Sequence, residues 1–138
     1  MKIQWGRVLL GGFLIEVILV VVLVGGFAAA GVDLSDHISA ASAAIIGVGC
    51  FAAAFVVALG LGKGVTDRVI LHGLLMGVVA TLLYVGLVIG SGQLSSALAA
   101  YGPITFVVLN GVRIVGAVLG GVALSRRRAA GAATPSPV

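Results

Sequence analysis

Four long apolar runs constrain the fold of this chain more than any other feature. We place them at residues 8–30, 38–61, 69–89 and 104–124, each long enough to cross the hydrocarbon core as a helix of about 20 residues. Hydrophobic residues make up 61% of the chain and charged residues 9%, outside the range of soluble domains. The runs also lack the polar alternation of barrel strands. The sequence therefore predicts an all-α integral membrane protein: a four-transmembrane-helix bundle at residues 1–124, followed by a disordered basic cytoplasmic tail at residues 125–138.

The basic residues predict how the bundle is oriented. They precede the first run, occupy the second loop and follow the fourth run, namely Lys2, Arg7, Lys63, Arg68, Arg126, Arg127 and Arg128. Cytoplasmic loops carry such an excess of Lys and Arg, so both termini are expected in the cytoplasm of a bacterial-type inner membrane. The three arginines after the fourth run are expected to lie near anionic lipid headgroups. Because the charges are scattered over segment ends instead of forming one basic face, no nucleic-acid partner is expected.

The beginning of the chain also admits a second interpretation. Basic residues, an apolar run and then Ala28, Ala29 and Ala30 describe a secretory signal peptide with a small-residue cleavage site. The run is longer than a usual signal sequence and contains Glu16, which favours a retained first helix. Intact-mass measurement of the purified protein separates the two interpretations.

An internal repeat is visible when the chain is compared with itself. Arg7 to Ile15 aligns with Arg68 to Met76 at a constant offset of 61 residues, from position 7 to position 68, with Arg, Val, Leu, Gly and Leu identical. This alignment predicts a 2+2 parallel repeat of helical hairpins. The alternative is that two apolar helix starts share these residues through composition alone.

Glu16 and Arg113 are the charged residues inside the apolar runs. A charge at the centre of a membrane helix costs about 2.5 to 3.5 kcal/mol, so each should face protein. At about 1.5 Å per residue, Glu16 lies about 12 Å from the expected cytoplasmic end of its helix and Arg113 about 16 Å from that of its own. We therefore predict a buried Glu16 to Arg113 ion pair, with Asn110 in the same network. His72 is a further candidate member, approaching Glu16 from the cytoplasmic side.

Small residues predict where the helices approach one another. In membranes, pairs of glycines four residues apart open grooves for close helix contact. Gly12 and two such pairs, Gly73 with Gly77 and Gly116 with Gly120, are the predicted packing positions. An unused groove of this type, such as that of Gly86 and Gly90, would allow a homodimer or a larger membrane complex.

The loops contain no motif that indicates a metal, cofactor or catalytic site. The first loop holds Asp33, Asp36 and His37, and the second contains a glycine-lysine pair without the spacing of a phosphate-binding loop. No metal, cofactor or enzymatic activity is therefore expected. The third loop repeats Leu94, Ala97, Leu98 and Tyr101 at helical spacing, which predicts a short interfacial helix ended by Gly102.

The first run contains Leu10-Gly11-Gly12-Phe13-Leu14-Ile15-Glu16-Val17-Ile18. This stretch resembles the first helix of the small multidrug resistance transporters, four-helix proteins with a glutamate embedded in that helix. The resemblance implies that Glu16 would bind cationic drugs or protons in an antiparallel dimer. Two functions are thus considered: a structural, accessory or assembly protein closed by the ion pair, and a small ion- or proton-coupled transporter that uses Glu16.

Overall fold

The computed structural model describes residues 3–29 and 38–132, and within these ranges the chain forms helices and no strand. Their bounds are α1 (Trp5–Leu19), a π-helical turn (Val20–Val24), α2 (Gly25–Ala29), α3 (Ala40–Gly62), α4 (Val69–Gly90), α5 (Leu94–Tyr101) and α6 (Pro103–Ala132). Four helical segments of this part of the chain are long and apolar enough to cross a membrane: Trp5–Ala29, α3, α4 and α6. The prediction of four apolar spans is confirmed. The loop with Asp33, Asp36 and His37 lies outside the described residues.

Several helix ends follow from local sequence. Ser39 precedes α3, and its hydroxyl oxygen accepts a hydrogen bond of 3.1 Å from the Ser42 amide, which satisfies one of the free N–H groups at the helix start. The short helix expected in the third loop is present as α5. Gly102 follows it with a φ of 73°, a left-handed value that favours glycine, and Pro103 opens α6.

α6 is longer than its apolar run. The run ends at Leu124, whereas the helix continues to Ala132, so the expectation of a disordered segment from residue 125 needs correction for residues 125–132. The cause lies in Arg128, which donates hydrogen bonds to the carbonyl oxygens of Gly62, Lys63 and Val65 at 3.0, 2.9 and 2.6 Å. Arg126 and Arg127 are exposed.

The last carbonyls of α3 are therefore held by arginines from the two ends of the described chain. Arg7 donates to the Leu61 carbonyl at 3.1 Å, beside the carbonyls that Arg128 reaches. These carbonyls lie at the negative end of α3 or just beyond it, where cations stabilise a helix. The beginning of α1 and the end of α6 consequently lie on the same side of the bundle, which we call the basic end.

α6 packs against α3 and α4, and α1 packs against the same two helices. The spans are thus ordered α1, α4, α6, α3 around the bundle, and α1 stands opposite α6. α3 and α4, although consecutive, contact each other less than each contacts α6. The repeat of helical hairpins stays a prediction.

Glycines mark the closest helix contacts. A Cβ added to Gly77 would lie 2.7 Å from Ile114 Cα, and one added to Gly116 would lie 2.6 Å from the Phe51 carbonyl oxygen. The other predicted packing glycines meet α4, α6 and α3 respectively: Gly12 against Val79, Gly73 against the Ala117 carbonyl, and Gly120 against the Phe55 carbonyl. Since no side chain larger than hydrogen fits at these positions, the helices approach one another as closely as only glycine allows.

Candidate functional site: a buried ion pair and its cavity

The position of Glu16 follows from the buried face of α1. The buried residues of this helix recur at spacings of three and four: Val8, Gly11, Gly12, Ile15, Glu16 and Leu19. Such spacing places them on one side of the helix. Glu16 therefore points into the bundle, on the stripe of residues by which α1 packs.

Asn110 and Arg113 lie on the corresponding face of α6. The buried residues of α6 are Leu109, Asn110, Arg113, Gly116, Ala117, Gly120, Gly121 and Leu124. The small residues of this stripe let α3 and α4 approach the half of α6 nearer the basic end. Asn110 and Arg113 lie on the same stripe, closer to the middle of the bundle. The same periodicity thus provides both close packing and a buried polar centre.

The predicted ion pair between Glu16 and Arg113 is confirmed. Arg113 Nη1 lies 3.0 Å from Glu16 Oε1, and the two side chains are only 7% and 9% exposed. Since α1 and α6 stand on opposite sides of the bundle, the two side chains meet at its centre. Each charge compensates the other there. Removal of either partner would therefore leave an uncompensated buried charge.

Asn110 and Tyr84 complete the surroundings of Arg113. The side-chain oxygen of Asn110, Oδ1, accepts a hydrogen bond of 3.3 Å from Arg113 Nη1, while the side-chain nitrogen Nδ2 donates to the Phe106 backbone carbonyl at 2.8 Å. The Arg113 guanidinium carbon lies 4.2 Å from the centre of the Tyr84 ring, a cation–π contact. The guanidinium is therefore held by groups from α1, α4 and α6.

Cys50 brings the remaining span, α3, to the same centre. Its side chain is completely buried and interacts with Arg113. Sequence reasoning missed both Cys50 and Tyr84. A signal for Tyr84 was present, because Gly73, Gly77, Ala80 and Tyr84 share one face of α4 by their spacing.

Two polar atoms of the pair remain without hydrogen bonds. Among the groups that the structure describes, neither Glu16 Oε1 nor Arg113 Nε has a hydrogen-bond partner, although both are buried. The contact of 3.0 Å between Oε1 and Arg113 Nη1 is an ion pair without hydrogen-bond geometry. An unsatisfied polar atom away from water costs free energy. The ion pair therefore neutralises the charges without using all of their hydrogen-bonding capacity.

A cavity of about 110 Å³ adjoins the pair. Its walls come from all four spans and from α5: Glu16, Leu19, Val20, Leu23, Phe27, Ile46, Tyr84, Tyr101, Phe106, Leu109, Asn110 and Arg113. It extends from the pair away from the basic end, because Phe27 lies about 16 Å beyond Glu16 along the first span. The π-helical turn at Val20–Val24 contributes Val20 and Leu23 to the wall, and such turns are frequent at functional sites.

His72 lies apart from this site. Its Nε2 atom accepts a hydrogen bond of 3.0 Å from the Gln4 amide, so Nδ1 carries the proton and donates to the Arg68 carbonyl at 3.1 Å. Both ring nitrogens are thus engaged at the basic end, where they join the beginning of α1 to α4. The predicted approach of His72 to Glu16 is replaced by these two contacts.

No protein-family model, no curated protein and no solved structure matches the chain. Within residues 3–29 and 38–132, no group of three His, Cys, Asp or Glu side chains could hold a metal ion.

Proposed function

We propose that this chain is a non-enzymatic, small multi-pass inner-membrane protein with a structural, accessory or assembly role. Both termini lie in the cytoplasm, and Arg126, Arg127 and Arg128 lie near anionic lipid headgroups. The observation that carries the proposal is the ion pair at the centre of the bundle. Its two charges are neutralised within the protein, which suits a rigid membrane element better than a site that must exchange ions.

The surface of α4 supports association with another membrane helix. In the described part of the chain, no atom beyond the neighbouring helix backbone lies within 4 Å of the position where a Cβ of Gly86 or Gly90 would be. The two glycines form a shallow groove with Leu82, Leu83 and Leu87. A groove of this kind accepts a helix at close distance. The partner is a second copy of the chain or a subunit of a larger membrane complex.

Co-purification in native lipid tests this role. We expect the protein to be recovered with a stoichiometric partner, identified by mass spectrometry of the intact assembly. The variant Gly86→Leu should lose the partner because it fills the groove, whereas Gly111→Leu, at another open glycine on α6, should retain it. Recovery of a lone monomer, or equal retention by both variants, would contradict the accessory role.

The second candidate is a small ion- or proton-coupled transporter that uses Glu16, as the likeness of its first helix to small multidrug resistance transporters implies. One observation favours it: Glu16 lines the cavity and has an oxygen atom without a hydrogen bond in the described chain. Substrate binding should then release protons from the purified protein, and Glu16→Gln should abolish the release. Absence of proton release with any substrate that binds would exclude this candidate.

A further inference from the structure

Two atoms of the ion pair lack a hydrogen bond in the described chain, namely Glu16 Oε1, which faces Arg113 Nη1 at 3.0 Å, and Arg113 Nε. Their hydrogen-bonding characters are opposite. Glu16 Oε1 is an acceptor, and Arg113 Nε carries a proton that it can donate. Both residues are more than nine-tenths buried, and both line the cavity. A group that satisfies both atoms must therefore donate one hydrogen bond and accept another within the same small space.

The charge of the site restricts what that group can be. An added cation would meet Arg113, and an added anion would meet Glu16, each as an uncompensated charge in a poorly solvated place. A neutral hydroxyl group has the required character, because its O–H donates to a carboxylate while its oxygen accepts from a guanidinium.

The remaining walls of the cavity favour an apolar body attached to that hydroxyl. Most of the lining side chains are aliphatic or aromatic, with Phe27, Tyr101 and Phe106 on the side away from the basic end. An apolar cavity of roughly 150 Å³ in another protein holds a benzene molecule. The cavity of about 110 Å³ is somewhat smaller, so it suits a body of no more than about one ring.

We propose that this cavity binds a small neutral molecule with one hydroxyl group on an apolar body, and that the hydroxyl lies between Glu16 Oε1 and Arg113 Nε. Short alcohols and phenols belong to this class. The site would give the bundle a ligand-binding function beyond its accessory role, and it needs neither the α4 groove nor proton exchange.

Fluorine NMR on the full chain in lipid nanodiscs tests the proposal, with 4-fluorophenol as the probe and fluorobenzene as its counterpart without a hydroxyl. Empty nanodiscs of the same lipid correct for partition of each probe into the bilayer. We expect saturable binding of 4-fluorophenol, at least about tenfold tighter than that of fluorobenzene, because hydrogen bonds to charged groups are the stronger ones.

Two neighbouring isoleucines of α3 provide a matched pair of variants. Ile46 is buried and lines the cavity, whereas Ile45 is 58% exposed and does not. Ile46→Phe should fill the space and weaken 4-fluorophenol binding at least about tenfold, while Ile45→Phe should leave it unchanged. Leu109→Phe, which fills the cavity from α6, serves as a second variant if Ile46→Phe does not fold.

Three results would overturn the proposal. One is the same signal in loaded and empty nanodiscs, because the probe would then only partition into lipid. Another is equal binding by the Ile46→Phe and Ile45→Phe proteins, since the probe would lie elsewhere. Equal affinity for fluorobenzene and 4-fluorophenol would show an apolar cavity whose polar atoms are satisfied by water instead of a ligand.

Discussion

Arg113 is contacted by a carboxylate, an amide and an aromatic ring in the middle of an apolar bundle. A lone guanidinium at this depth costs about 2.5 to 3.5 kcal/mol or more. The three neighbours offset that cost by different means: Glu16 compensates the charge, Asn110 accepts a hydrogen bond from Nη1, and Tyr84 presents the negative face of its ring.

Replacing either member of the ion pair should destabilise the bundle. We expect Glu16→Gln and Arg113→Leu each to lower the free energy of unfolding by about 3 kcal/mol or more, because the remaining partner stays buried. The double variant should lose less than the sum of the two. Circular dichroism during titration with sodium dodecyl sulfate measures this, with the exposed Arg126→Leu as control. Additive losses would mean that the two side chains do not interact.

Tyr84 should stabilise the bundle through the contact of its aromatic ring with Arg113. Tyr84→Phe keeps the ring beneath Arg113, whereas Tyr84→Leu removes it, so the leucine variant should be about 1 to 2 kcal/mol less stable than the phenylalanine variant. The same titration measures the difference. If both variants lose stability equally, the hydroxyl group is the contributing part and the cation–π contact is not.

The ion pair could be predicted from the sequence because a charge within a lipid-spanning run has to find a countercharge at a similar depth. The spacing of Tyr84 places it on the packing face of α4, but neither its contact with Arg113 nor that of Cys50 could be predicted, because both contacts depend on which helices surround Arg113. His72 was misplaced for a related reason. Depth along a helix predicts a level in the membrane, but it does not show that the Gln4 amide offers a nearer partner.

Close contact between helices depends on individual glycines rather than on glycine content. Gly77 and Gly86 both belong to α4, but only Gly77 lies against the α6 backbone. Gly77→Ala should therefore lower the free energy of unfolding by about 1 to 3 kcal/mol through overpacking. Gly86→Ala should not lower the free energy of unfolding of the isolated chain, since alanine is the better helix former. A comparable loss from both substitutions in the unfolding titration would argue against the α4 and α6 contact.

The ends of the helices show what hydropathy can and cannot predict. The short α5 and its end at Gly102 followed from local spacing and a glycine signal. The extension of α6 to Ala132 did not, because residues 125–132 are polar or small and are held by a contact far away in sequence, from Arg128 to the loop after α3. Hydropathy predicts the membrane-crossing part of a helix, whereas the end of the helix depends on its partners.

At the basic end, the first and last spans are both fastened to the end of α3. Arg128 contributes three of these hydrogen bonds, so Arg128→Ala should free the loop that contains Lys63 and Arg68. We expect trypsin to cleave after these two residues about tenfold faster, because loss of hydrogen bonds to a charged group favours local opening. Arg127→Ala, at an exposed neighbour, should leave the cleavage rate unchanged. Equal rates in the two variants, followed by mass spectrometry, would contradict the proposed role of Arg128.

The order of the spans around the bundle was beyond sequence reasoning. A short loop joins α3 to α4, yet these two helices contact each other little and both lie against α6. The glycine stripe of α6 explains this arrangement, because Gly116 and Gly120 accept α3 while Gly121 accepts α4. One helix with small residues on two sides thus decides the packing of its neighbours.

The ion pair joins the first span to the last, and this has a consequence for biosynthesis. Glu16 reaches the bilayer early in translation, whereas Arg113 is made only when the fourth span emerges from the ribosome. Until then the carboxylate has no countercharge, and the first helix is held in the membrane at a cost of about 2.5 to 3.5 kcal/mol. Insertion of α6 thus removes this penalty, because Arg113 then compensates the Glu16 carboxylate.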